Sequence, residues 1–172
     1  MEYFFNFDKL AYVTGKRPAG CILCQVQNEN PDMPVASADP PDTLIYKSGH
    51  SAVALNLYPY NPGHLLLFPL RHVADIRELS AGERRDMDGL LDKALSALDS
   101  LYRPSGYNIG YNMGPDAGAS IGHLHMHIIP RYAREIGIAE LLAGKRVLVE
   151  DIETTKRRLR KVFTVDEPAE NH

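Results

Sequence analysis

Residues 123–127 read His-Leu-His-Met-His, and this alternation restricts the possible structures of the chain more than any other feature. In a β-strand, successive side chains point to opposite faces. The pattern therefore predicts a strand that places His123, His125 and His127 on one face and the intervening leucine and methionine on the other. At a rise of ~3.3 Å per residue, neighbouring histidines of such a row lie ~6.5–7 Å apart.

Two simpler explanations of the histidine row are weaker. Histidine has no special preference for strands, yet three of the seven histidines of the chain fall within these five positions. An expression tag is terminal and contiguous, whereas this run is internal, alternating and preceded by a glycine-bearing turn at 118–122. The row is therefore interpreted as functional: it could bind a metal, hold phosphate groups or attack them.

The composition fits one soluble, cytoplasmic domain over residues 1–172, with an N-terminal extension (1–20) and a C-terminal helical extension (133–165). The chain is 44% hydrophobic and 24% charged, which is ordinary for a globular protein of 172 residues. Its net charge of −3 argues against nucleic acid as a partner. No apolar run approaches the ~18–20 residues of a membrane span. No signal peptide is visible, and the two cysteines are expected to stay reduced.

Hydrophobic periodicity predicts five strands and one long helix. The strands are expected at 44–46, 52–57, 64–68, 107–112 and 124–129. The helix is expected at 81–102, where Ser80 and Glu83 form a capping box ahead of an apolar stripe. Shorter helices are expected at 139–142 and 152–162, and the basic residues of the second are interpreted as a solvated face.

A row of imidazoles suits the chemistry of phosphate esters and anhydrides. A neutral imidazole is a good nucleophile, and its usual pKa of ~6.5 leaves it mostly neutral at pH 7. Attack on phosphorus forms a covalent phospho- or nucleotidyl-imidazole and divides one difficult displacement into two. Neighbouring histidines can donate hydrogen bonds to phosphate oxygens, and backbone N–H groups of the glycine-bearing turn can do the same.

Residues 116–131, with the histidine row at their centre, resemble the signature of the histidine triad superfamily of nucleotide hydrolases and transferases. The stretch 61–72 is similar to the Pro-Gly-His strand of that superfamily, and 54–56 to the strand before it. The resemblance covers about residues 18–132. It implies an α+β fold in which helices pack on a five-stranded antiparallel sheet, and it implies a homodimer.

The resemblance also implies roles for individual residues. His125 would be the nucleophile, and His127 would contact the scissile phosphate. His64 would sit beside the row and help to bind phosphate, while Asn56 would lie by the ribose.

The turn before the row would contribute further substrate contacts through Ser120 and the backbone near Gly118. Ala119 departs from the pattern, because many members of the superfamily carry glutamine there. In having a small residue at that position, the chain resembles the branch of the superfamily that contains diadenosine tetraphosphate phosphorylases. The acceptor of the nucleotidyl group is therefore left open between water and inorganic phosphate.

Cys21 and Cys24 form a Cys-x-x-Cys pair, which supplies two of the four ligands of a tetrahedral zinc site. The resemblance suggests His72 and His123 as the other two, with His50 as a spare candidate. Four protein ligands close the site, so the zinc would be structural. A redox dithiol and two ordinary buried cysteines remain as alternatives.

The sequence thus predicts an enzyme that cleaves a nucleoside phosphate or dinucleoside polyphosphate through a nucleotidyl-histidine, by hydrolysis or phosphorolysis. One alternative is a nucleotide-binding module with little turnover. Another is a protein in which the row holds a catalytic metal, although alternate residues of one strand lie too far apart for all three to bind one ion.

Overall fold

The computed structural model describes residues 20–28, 42–133 and 150–165. The helix expected at 139–142 and nearly all of the expected N-terminal extension lie outside these ranges. The domain boundaries stay a prediction.

Five strands form one antiparallel sheet, as predicted. They are β1 (Leu44–Lys47), β2 (Ser51–Leu55), β3 (Leu65–Pro69), β4 (Gly106–Tyr111) and β5 (Met126–Arg131). Their order across the sheet is β1-β2-β3-β5-β4. The strand bounds differ from the predicted ones by one or two residues. The difference matters in β5, which begins at Met126 and not at residue 124, so His127 alone of the three histidines lies within a strand.

The helices are α1 (Ile22–Val26), α2 (Ala81–Tyr102) and α3 (Ile152–Val165). The capping box of α2 is present: the Ser80 hydroxyl accepts from the Glu83 N–H at 3.2 Å, and the Glu83 carboxylate accepts from the Ser80 N–H at 2.8 Å. None of the described helices is long and apolar enough to cross a bilayer.

The sheet separates two apolar clusters. Helices α2 and α3 cover one face, where Leu65, Leu67 and Ile128 are fully buried. Helix α1 packs on part of the opposite face, next to Leu66. Since side chains alternate along a strand, His127, which pairs with Leu66, lies on the α1 face.

The basic residues of α3 do not form a simple solvated face, and that interpretation is wrong for Lys156 and Arg160. Lys156 is 2% exposed, and its ammonium lies 3.1 Å from a carboxylate oxygen of Asp42, which is fully buried. Arg160 contacts the same carboxylate at 3.1 Å. Arg158 pairs with Glu150 at 2.5 Å. The pairs with Asp42 fasten α3 to the segment just before β1, and Glu150 in turn accepts a hydrogen bond from Tyr102 at the end of α2.

Candidate active site and metal centre

A tight turn between β2 and β3 delivers His64 to the sheet. Gly63 has φ +77°, and a Cβ there would lie 2.9 Å from a methyl carbon of Leu98, so both backbone and packing require glycine. The Asn61 side-chain amide donates to the carbonyl of Pro130 at 2.6 Å. The turn is therefore tied to both α2 and β5.

His64 is 1% exposed, and both of its ring nitrogens form hydrogen bonds with protein groups. The Tyr60 N–H donates to Nδ1 at 3.1 Å, so in the neutral ring the proton resides on Nε2. This Nε2 lies 3.0 Å from Nδ1 of His127 and donates to it. A neutral His127 then carries its own proton on Nε2. The Asn56 amide nitrogen lies 3.2 Å from Nδ1 of His64, so Asn56 contacts this pair.

His125 is 3% exposed, and its tautomer is also set by the backbone. Its Nδ1 lies 2.7 Å from the carbonyl oxygen of His123, which can only accept, so Nδ1 carries the proton and Nε2 is the unprotonated nitrogen. Burial lowers the pKa of His125, which favours the neutral form. The rings of His125 and His127 lie 4.9 Å apart between centroids, closer than the predicted spacing, because His125 precedes the strand.

Both of these histidines line an open cleft. One wall is apolar and comes from α1 and β3: it includes Ile22, Leu23, Val26 and Leu66. The remaining lining is mainly polar or aromatic, and includes Asn56, Tyr58, Tyr60, Asn112, Gly118, Ser120, His125 and His127. An apolar wall beside a polar end suits a nucleoside base joined to phosphate.

Sequence reasoning did not find Asn112, the two tyrosines or the α1 wall. Asn112 directly follows the last residue of β4 at the edge of the cleft, and a polar side chain at a strand end is the signal that could have indicated it. The α1 wall could have been inferred from the position of α1 immediately after the first cysteine of the pair.

The glycine-bearing turn contributes less backbone than expected. The Gly118 N–H donates to the carbonyl of Pro115 at 3.0 Å, and the Ala119 N–H donates to that of Gly114 at 3.2 Å. Those two donors are engaged within the turn. Ser120, which lines the cleft, remains a candidate for contacting phosphate.

Four predicted metal ligands lie together at the other end of this face. The ligand atoms of Cys21, Cys24, His72 and His123 all lie within 4.8 Å of one another. Within the described ranges this is the sole group of its kind, and His50 is not part of it.

The spacing of these atoms fits a tetrahedral ion. Nδ1 of His123 lies 3.4 Å from the sulfur of Cys21 and 3.5 Å from that of Cys24, and Nδ1 of His72 lies 3.4 Å from the latter. With Zn–S of ~2.3 Å and Zn–N of ~2.0–2.1 Å, a tetrahedron has sulfur–nitrogen edges of about 3.5 Å. The observed edges match this value.

The protonation of His123 also fits a metal site. Nε2 of His123 lies 2.9 Å from the carbonyl of Pro69 and donates to it, which leaves Nδ1 unprotonated on the side of the cysteines. Burial lowers the pKa of His123 to about 4, so the ring is neutral. Burial, and next the hydrogen bond with the Cys21 side chain, raise the pKa of Cys24 to about 11. A bound cation is the partner that would favour the thiolate.

Comparison with known proteins now identifies the family. Residues 37–134 match the HIT domain, the histidine triad domain, and the chain belongs to this family.

Two curated relatives and one solved structure illustrate what the chain is similar to. Over 106 residues the chain is 37% identical to AP-4-A phosphorylase of Mycobacterium tuberculosis, a match covering 61% of this chain and 54% of that protein. It is 36% identical over 88 residues to asymmetrical bis(5'-nucleosyl)-tetraphosphatase of Schizosaccharomyces pombe, covering 51% and 48% respectively. The chain thus spans about half the length of these curated relatives. A zinc-bound histidine triad protein of Mycobacterium smegmatis has the same fold, with a TM-score of 0.60, 22% identity and coverage of 84% and 94%.

Proposed function

We propose that the chain is an enzyme that cleaves a dinucleoside polyphosphate, or a related nucleoside phosphate, through a covalent nucleotidyl-His125 intermediate. The observation that carries this proposal is the 2.7 Å contact between Nδ1 of His125 and the carbonyl of His123. It leaves the lone pair of Nε2 as the nucleophile, in a ring that lines the cleft. The names of the relatives support the substrate class.

In the first step a bond forms between Nε2 of His125 and the α-phosphorus, and the bond from that phosphorus to the leaving nucleotide breaks. His127 assists from the same face. The hydrogen bond from His64 to Nδ1 of His127 keeps the proton of His127 on Nε2. His127 can therefore donate a hydrogen bond to a phosphate oxygen as negative charge develops there. In the second step water or inorganic phosphate attacks the phosphorus, and the bond to His125 breaks.

The test of the covalent step is His125→Ala. We expect turnover of diadenosine tetraphosphate to fall by several orders of magnitude while nucleotide affinity stays within about tenfold, because a nucleophile acts on the chemical step. The matched control is His50→Ala, which removes an exposed imidazole outside the cleft. Near-normal turnover by the His125 variant refutes the assignment, and a wild type that binds nucleotide without turnover favours the binding-module alternative.

Ala119 leads us to favour inorganic phosphate as the acceptor. Its methyl group cannot hydrogen-bond to a water molecule at the phosphorus, whereas a glutamine amide could. Phosphorolysis of diadenosine tetraphosphate yields ATP and ADP, and asymmetric hydrolysis yields ATP and AMP. Labelled phosphate should therefore appear in ADP. If phosphate changes neither rate nor products, the enzyme is a hydrolase, and Ala119→Gln should shift flux toward water only if the missing amide is the cause.

We also propose that Cys21, Cys24, His72 and His123 hold one structural zinc ion per chain. Zinc bound there would tie α1 to the segment before β5 and so stabilise the wall of the cleft. Elemental analysis of protein purified without added metal should give about one equivalent. Cys24→Ser should lower both the metal content and the melting temperature. A metal-free wild type of full stability contradicts the site.

A cytoplasmic location is part of the proposal, because two thiols that serve as metal ligands must stay reduced. A homodimer is the other part of the proposal.

A further inference from the structure

Residues 150–165, which follow the part of the chain matched to the HIT domain, pack close to His64. Helix α3 and Glu150 lie beyond residue 134, where the match to the HIT domain ends. The structure nevertheless places Glu150, Ile152 and Thr155 around a small open pocket whose other lining includes Asn56 and His64.

Glu150 is the centre of a dense polar contact set. One carboxylate oxygen accepts from the Tyr102 hydroxyl at 2.5 Å and from the Thr155 hydroxyl at 2.8 Å. The other accepts from the Arg158 guanidinium at 2.5 Å. The carboxylate thus joins the last residue of α2 to the first turns of α3, with its side chain 17% exposed.

Tyr102 carries this contact to the turn that holds His64. The Tyr102 ring lies 3.4 Å from the place a Cβ would occupy on Gly63, the residue before His64. The ring is held from its outer end by Glu150 and is overlain by Arg158, whose guanidinium carbon lies 5.2 Å from the ring centroid. The Tyr102 ring therefore lies beside the turn, so that Glu150 and Arg158 fix a side chain that borders Gly63.

The position of this turn determines which ring nitrogens of His64 and His127 carry protons. The Tyr60 N–H to Nδ1 contact and the Nε2 to His127 contact, at 3.1 Å and 3.0 Å, keep the proton of His64 on the side of His127. Hydrogen bonds of this length weaken steeply when distance or angle changes. A misplacement of about 1 Å can cost on the order of 10²-fold in rate.

We propose that Glu150 is a positioning residue for the reaction, acting through Tyr102 and the turn at Gly63 to hold the His64–His127 pair in its working tautomer. The segment after the HIT domain thereby completes the phosphate site from the side away from the cleft. This inference rests on the proposed function for its consequence on rate, and on the contacts alone for its consequence on the tautomer.

The test uses two variants and one matched control in the full chain. Glu150→Gln removes the charge while keeping the shape, and Tyr102→Phe removes the hydroxyl while keeping the ring on Gly63. Glu153→Gln removes the same charge three residues further along the chain, in the first turn of α3, at a side chain that is 45% exposed. We expect the first two to lower kcat for diadenosine tetraphosphate about tenfold or more with KM within about threefold, because geometry for the chemical step is lost. The control should stay at the wild-type rate.

Imidazole nitrogen chemical shifts supply the readout that a purely structural role would not change. In the wild type, His64 and His127 should both show a protonated Nε2 and an unprotonated Nδ1, with His127 assigned by its loss in His127→Asn. In Glu150→Gln and Tyr102→Phe these shifts should move toward a mixture of tautomers, in protein that circular dichroism shows to be folded.

The chemical shifts and kcat of the two variants together decide the proposal. Unchanged shifts and unchanged kcat in both variants overturn the proposal, as does a fall in kcat without a change in the shifts. If Glu150→Gln does not fold, Tyr102→Phe alone decides. If the wild type turns over no nucleotide, the proposed function fails, and the nitrogen shifts still decide whether Glu150 positions the histidine pair.

Discussion

At the scale of single residues, two glycines in different settings allow a direct test of the turn. Gly63 has positive φ and faces Leu98 at 2.9 Å from the Cβ position, whereas Gly89 lies in α2 with nothing within 4 Å. Gly63→Ala should lower the free energy of unfolding by about 1–3 kcal/mol through strain and overpacking. Gly89→Ala should raise it by roughly 0.5–1 kcal/mol through helix propensity. Urea denaturation measures both, and a neutral Gly63→Ala would show that the turn tolerates a side chain.

The family resemblance predicted that His64 lies beside the histidine row, but the sequence did not show where the protons of these histidines lie. The alternation of His123 to His127 and the upstream Pro-Gly-His are local patterns, and the structure does bring His64 next to His127. The tautomers depend on carbonyl and N–H groups whose positions are set by the packed turn and by the chain before β5. The separation of His123 from the other two, toward the cysteines, likewise depends on contacts 99 and 102 residues apart in sequence.

At the scale of elements, the N-terminus of α2 makes stability depend on acid pH. Hydrogen bonds from Arg71 and then from the Ser80 N–H lower the pKa of Glu83 from 4.5 to about 2. The stabilisation from this carboxylate is present above pH 4.5 and is lost as the pH falls toward 2. Glu83→Gln keeps an acceptor for the Ser80 N–H, since glutamine also serves in a capping box, and should cost only about 0.5–1 kcal/mol at pH 7 through the lost charge-assisted hydrogen bonds from Arg71, whose side chain is half exposed.

Thermal melts between pH 7 and pH 2 check this expectation. The difference between wild type and Glu83→Gln should shrink across the acid window. Asp88→Asn, which removes an exposed carboxylate from the same helix, should match the wild type closely. A Glu83 variant as stable as the wild type at pH 7 would show that the charge of Glu83 contributes little.

Elements with a clear period were predicted well, and elements fixed by distant partners were not. The α2 bounds were predicted correctly because the cap and the apolar stripe are both local. The role of α3 was not, because a run of basic residues in sequence does not show that Lys156 will be buried against Asp42, 114 residues away. The start of β5 differs from the predicted one for a similar reason: His123, in the segment before β5, contacts the cysteine pair, and that segment does not pair with the sheet.

At the scale of the whole molecule, β4 forms one edge of the sheet and exposes apolar surface. Ile109 is 44% exposed although its neighbour across the strand pair, Ile128, is fully buried. Met113, two residues after the strand, is 43% exposed. Within the ranges that the structure describes, β4 pairs with β5 alone. An exposed edge with apolar side chains is a surface for pairing with another chain.

We therefore expect a homodimer that forms across the β4 edge. Light scattering at micromolar concentration should give about twice the 19.2 kDa chain mass. Ile109→Lys should shift the protein toward the monomer, because a buried unpaired charge at the interface costs several kcal/mol. Thr164→Lys, at an exposed position of α3, adds the same charge away from this edge and should stay dimeric. A wild type of about 19 kDa contradicts the dimer, and a dimeric Ile109→Lys places the interface elsewhere on the molecule.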